Sequence, residues 1–135
     1  MRPLLPSVRL NMTIAYWCVL IAALLPYVLT GYAKGSARGY DNRAPRDWQA
    51  RLEGRAARAH WAHLNSFEAF PFFAAAVIIA HLAGGEQNVV DWLAMGFIAA
   101  RIVYSVLYIA GIARLRSVVW ALGFFATIAL FIIAA

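Results

Sequence analysis

Four apolar stretches, each long enough to cross a bilayer as a helix, take up most of this 135-residue chain and leave few folds open to it. A hydrocarbon core about 30 Å thick is spanned by roughly 20 helical residues. Runs of that order occur at 12–30, 61–82, 89–112 and 118–135. Within lipid every backbone N–H and C=O must be satisfied by the segment itself, which selects helices over irregular chain. With 64% of residues hydrophobic and 13% charged, too little polar surface remains to clothe a soluble globule of this length. The expected fold is an all-α integral membrane bundle of four transmembrane helices, one domain over 1–135, with a single long polar connection at 32–59.

The first stretch follows Arg2 and Arg9, as a secretory signal would, but it exceeds a usual signal core and no small-x-small cleavage site follows cleanly. It reads as a retained helix. Pro26 lies inside it and should kink it by freeing the Ala22 carbonyl. Cys18, the one cysteine, sits in the same run, which leaves no internal disulfide and no thiolate pair for a metal.

The connection carries seven cations (Lys34, Arg38, Arg43, Arg46, Arg51, Arg55, Arg58) against three acids (Asp41, Asp47, Glu53). Gly39 to Pro45 has turn chemistry, while Arg46 to Arg58 has helix formers that can wind directly into the second span. Gly84 and Gly85 stop that span before a polar turn through Gln87 and Asn88, and the third ends at Arg114 and Arg116. Lys and Arg crowd the first and third connections, with seven and two, against none in the second. The basic side is therefore expected in the cytoplasm and both termini in the periplasm; Arg2 and Arg9 pull the other way. A net charge of +6 spread beside apolar spans suits anionic lipid head groups better than nucleic acid, which is not expected as a partner.

Ionisable groups inside spans cost at least about 2.5 kcal/mol each and mark function. Two stand out: Glu68 in the second span and Arg101 in the third. Glu68 lies about 12 Å from the basic end of its helix at 1.5 Å per residue, with Arg101 somewhat deeper. Either the two pair and merely fix helix packing, or they line a cavity. Arg58, Asn65 and Glu68 project to related faces of one helix, and Arg101, Tyr104 and Tyr108 share a face of the other, with Arg114, Arg116 and Ser117 just beyond. Two such stripes would form a pocket open to the cytoplasm, with guanidinium groups for carboxylates and a carboxylate for an ammonium. A small zwitterionic peptide suits it. His60 and His63 are three apart, but no further ligand completes a set and His81 belongs near the opposite face, so no metal site is expected.

The stretch Arg55 to Ala80, RAARAHWAHLNSFEAFPFFAAAVIIA, resembles the second helix of the MAPEG family, membrane-associated proteins in eicosanoid and glutathione metabolism. Asn65, Glu68 and Pro71 match its Asn-x-x-Glu and nearby Pro. The segment Arg101 to Trp120, RIVYSVLYIAGIARLRSVVW, looks like the family's third helix, with Arg-x-x-Tyr-x-x-x-Tyr and a later Arg-Ser. The resemblance implies a homotrimer that binds glutathione as co-substrate in a cleft between subunits. Arg58, Asn65, Glu68, Arg101, Tyr104 and Tyr108 would contact the tripeptide, with Arg116 and Ser117 near its sulfur and Tyr104 beside the reaction. Catalytic members carry an arginine four residues before the motif Asn; this chain has Trp61 there, with Arg58 one turn further back. The YDNRAPRDW connection looks like bacterial members, which implies a bacterial inner membrane.

The expected activity is that of a membrane glutathione transferase or peroxidase acting on a lipophilic electrophile. Two other classes stay open at this point: a non-catalytic membrane protein with a structural Glu68–Arg101 pair, and a small proton-coupled exporter. Against the exporter stand the position of the acid, in the second span, and the arginine available to neutralise it.

Overall fold

The structure, a computed structural model, describes residues 11–135; Arg2 and Arg9, weighed above for orientation, lie outside the described residues. It is all helical: α1 Ile14–Ser36, α2 Pro45–Ala50, α3 Gly54–Leu82, α4 Gln87–Ala110 and α5 Ala113–Ile133. All but α2 are long and apolar enough to cross a membrane.

Local chemistry sets the ends. Thr13 caps α1 by accepting the Tyr16 N–H, and α1 continues unbroken through Pro26. The Glu86 carboxylate caps α4 by accepting from the Asn88 and Val89 N–H groups at 3.3 and 2.9 Å. Gln87 and Asn88, read above as a turn, therefore form the first turn of α4. At the other end Gly111 takes φ +80°, and its N–H and that of Ile112 return to carbonyls of the last turn, closing α4 at Ala110.

Two further boundaries differ from the sequence reading. The second long helix begins at Gly54 rather than near Trp61, and it is separate from α2. The Arg51 and Leu52 N–H groups fold back onto the Trp48 and Gln49 carbonyls, and Gly54 then takes φ +59°, so Arg46 to Arg58 does not wind as one helix. The last helix begins at Ala113, which puts Arg114, Arg116 and Ser117 inside its first turns rather than in a linker.

The closest pairings are α1 with α3 and α4 with α5, with α3 and α4 joining the two pairs. Small residues (Ala15, Ala22, Ala76, Ala80 and Ala94) are fully packed between them, and the Phe73 and Phe97 rings stack at 3.9 Å in the centre. Small side chains allow close backbone approach where lipid removes the hydrophobic drive for helices to associate. Large apolar groups point outward instead: Val28, Val106 and Phe125 are each more than 60% exposed. With four spanning helices clad in apolar side chains, the chain is an integral membrane protein.

Side-chain bonds identify the two ends of the bundle. At one, the Arg58 Nε–H donates to the Ile109 carbonyl at 2.8 Å, tying the start of α3 to the end of α4. At the other, the Asp91 carboxylate accepts the Ala15 N–H at 2.9 Å, and Thr13 and His81 bond at 2.8 Å. Midway, His63 Nδ1 donates to the Pro26 carbonyl at 2.6 Å.

Candidate functional site

Helices α3, α4 and α5 enclose a cleft of about 190 Å³. Asn65 and Glu68, one turn apart on α3, and Arg101 on α4 form its polar part; Phe72, the next turn of α3, joins Trp120 and Phe124 of α5 in its aromatic part. Gly123 faces α4 beside Ala100 and Phe97, where a Cβ would meet both at ordinary contact distance. Trp120 and Phe124 stack at 5.0 Å, giving one side of the cleft a flat face.

The two charged groups share the cleft without joining. Arg101 is 3% exposed and donates from Nη2 to Ser66 Oγ at 3.2 Å. Glu68 is exposed and accepts from Asn65 Nδ2 at 3.4 Å. Among the described residues no ion pair connects Arg101 to Glu68, so the direct pairing entertained from the sequence is not formed. A guanidinium carries five N–H donors, and within the described residues one hydrogen bond of this side chain is made. Asn65 Oδ1 is buried and has no donor within the protein. The polar part thus presents spare donors from Arg101, an acceptor on Asn65 and a free carboxylate oxygen on Glu68.

From Arg101 a ladder of rings and cations runs to the end of α4. The Arg101 guanidinium lies 4.3 Å over Tyr104, Tyr104 meets Tyr108 edge-on at 5.6 Å, and the Arg116 guanidinium lies 4.1 Å over Tyr108. Ring faces attract cations, more strongly where water is scarce. The i, i+3, i+7 spacing puts the first three on one helix face, while Arg116 arrives from α5 because the Gly111 turn folds α5 back.

Two expected site residues stand differently. Arg58 lies behind the end of α4, its Nε–H committed to Ile109 and its guanidinium within 4 Å of where a Gly111 Cβ would be. Ser117 is exposed on α5 and donates its hydroxyl to the Ala113 carbonyl at 3.2 Å. Trp61 is 50% exposed on the outer face of α3. Among the described residues no trio of His, Cys, Asp and Glu is placed to hold a metal.

Sequence reasoning missed Asp91. It lies one turn inside α4 at the bundle end opposite the ladder, and accepts from Gln87 Nε2 as well as the Ala15 N–H, both at 2.9 Å. His81 joins this group, donating from Nδ1 to the Val77 carbonyl at 2.7 Å while its ring stacks on Tyr16 at 3.9 Å. An acid in an apolar run was the signal available, and the rule that singled out Glu68 covers it equally.

With this geometry in hand, comparison with known proteins gives one result: the model of the MAPEG family matches residues 14–135. No curated protein and no solved structure matches the chain.

Proposed function

We propose that this chain, which belongs to the MAPEG family, is a membrane-embedded glutathione-dependent transferase or peroxidase acting on a lipophilic electrophile. The observation that carries this reading is that the buried Arg101 and the exposed Glu68 line one cleft without neutralising each other. Glutathione offers complementary groups: carboxylates for Arg101, an ammonium for Glu68, and peptide N–H groups for the undonated Asn65 Oδ1.

In this reading Tyr104 and Tyr108 flank the tripeptide along the ladder. Arg116 stands near the sulfur, with Ser117 one residue on, and Arg58 meets a rim carboxylate through its terminal nitrogens. A thiol with a pKa near 8.5 is mostly protonated at neutral pH, and a neighbouring guanidinium favours its thiolate. The thiolate then forms a carbon–sulfur bond with the electrophile as the leaving group departs with its bonding electrons. The aromatic part, Phe72, Trp120 and Phe124, gives a bilayer-soluble partner an apolar seat.

The same reading has the chain assembled as a homotrimer in a bacterial inner membrane, with the basic connections cytoplasmic and the termini periplasmic. The exposure of Glu68 on a single chain supports a neighbour completing the cleft. The concentration of seven cations in one connection supports the orientation. Isothermal titration of the detergent-solubilised protein with glutathione tests the function: saturable heat in the micromolar to millimolar range is expected. Absence of heat together with absence of thermal stabilisation at millimolar glutathione overturns it.

A further inference from the structure

The connection between α1 and α3 is a folded element with no part in the cleft. Trp48, 6% exposed, anchors it: the indole Nε1–H donates to the Arg38 carbonyl at 3.2 Å and its ring meets Tyr40 edge-on at 5.1 Å. Tyr40 in turn donates to Asn42 Oδ1 at 3.1 Å and lies beneath Lys34 Nζ at 4.4 Å. Asp41 accepts the Arg43 N–H at 2.9 Å, which fixes the bend leading into α2.

Around this anchor Lys34, Arg38, Arg43, Arg46, Arg51 and Arg55 are all exposed. The acids of the same segment, Asp41, Asp47 and Glu53, form no ion pair with them among the described residues. Arg46 donates from Nη1 to Gln49 Oε1 at 3.4 Å and Lys34 sits over Tyr40, but with no carboxylate engaged the guanidinium groups keep most of their donors, on a scaffold whose backbone is already ordered. Both ends of the segment run directly into spanning helices, so the anions nearest to it are the phosphates of the leaflet it lies on, at an effective concentration no soluble anion matches.

We propose that this connection is a docking platform for anionic phospholipid head groups, with Arg43, Arg46 and Arg51 gripping phosphodiester oxygens. Guanidinium groups match phosphate oxygens in a two-pronged geometry. A prefolded platform loses less freedom on binding than a loose basic tail would. The surface is independent of the glutathione reading, since none of the three arginines lines the cleft.

The test compares the full chain in nanodiscs of phosphatidylcholine alone and of phosphatidylcholine with one-third phosphatidylglycerol. The wild type is expected to unfold at a higher temperature in the anionic discs, and to retain phosphatidylglycerol over phosphatidylcholine in native mass spectrometry. A triple variant, Arg43→Gln, Arg46→Gln and Arg51→Gln, is expected to lose most of that preference, about fivefold per cation removed, while unfolding in neutral discs as the wild type does. Equal behaviour of the wild type in both discs overturns the proposal. So does a triple variant that keeps the full preference, or inorganic phosphate or an RNA oligonucleotide reproducing the whole shift in neutral discs. The wild-type lipid retention decides the matter even where the triple variant fails to fold.

Discussion

The Arg101 guanidinium lies 4.3 Å over the ring of Tyr104, one turn along the same helix, and that stack holds a buried cation in place without a carboxylate. Together with the bond to Ser66 it fixes the side chain at the wall of the cleft with donors to spare. Held this way, the charge is available to a ligand rather than consumed by the fold.

Replacing Arg101 should therefore separate binding from stability. Arg101→Met removes a buried charge in favour of an apolar chain of similar length, a change that is often neutral or stabilising. The thermal midpoint of Arg101→Met in detergent is expected to stay within a few degrees of wild type, while the heat of glutathione binding disappears. A collapse of the midpoint with binding retained would assign Arg101 to packing instead.

Glu68 is exposed and bonded only to its own helix, at 3.4 Å from Asn65. Glu68→Gln keeps the side chain's size and its acceptor for Asn65 while removing a charge from a spanning helix, so stability is expected to hold or rise. Glutathione affinity should fall about tenfold or more through loss of the ammonium partner, equivalent to about 1.4 kcal/mol. Calorimetry on the two proteins side by side checks both outcomes.

Arg58 closes the end of α4 through the Ile109 carbonyl. Arg58→Met leaves that carbonyl without its charged donor and should cost about 1.5–3 kcal/mol, with faster hydrogen exchange at Gly111 and Ile112. Gly111→Ala forces an L side chain to φ +80° and should cost about 1–2 kcal/mol at the same turn. Both variants are expected to weaken glutathione binding by loosening the turn that brings Arg116 over Tyr108, and Arg58→Met further by removing a direct carboxylate contact; unchanged exchange rates would refute the strut.

Asp91 supplies the opposite case. Its carboxylate caps α1 from another helix, through the Ala15 N–H at 2.9 Å. Asp91→Ala should cost about 1–3 kcal/mol for the orphaned donor, and glutathione affinity should be unaffected because the cleft lies toward the other end of the bundle. A loss of affinity equal to that of Glu68→Gln would contradict this division of the molecule.

Much of the architecture was legible in the residue order. Apolar runs reveal spanning helices because transfer into lipid is a sum over a local segment, and the stripe from Arg101 through Tyr104 to Tyr108 follows from helical periodicity alone. The motif residues Asn65, Glu68 and Arg101 do meet at one cleft. Boundaries were less legible where glycine intervenes: Gly54 and Gly111, both at positive φ, decide where α3 begins and where α4 gives way to α5.

What the sequence determined by itself is the solvent this protein lives in, the number of its crossings and the faces its polar residues share, since these depend on neighbours three or four positions away. Only the tertiary structure decided the partners: Arg101 bonds to Ser66 rather than Glu68, Arg58 to the Ile109 carbonyl, and Asp91 to the first turn of α1. Those choices follow from how far each packed helix is rotated and shifted against the next. A movement of an ångström or two there exchanges one hydrogen-bond partner for another, and no periodicity within a single helix records it.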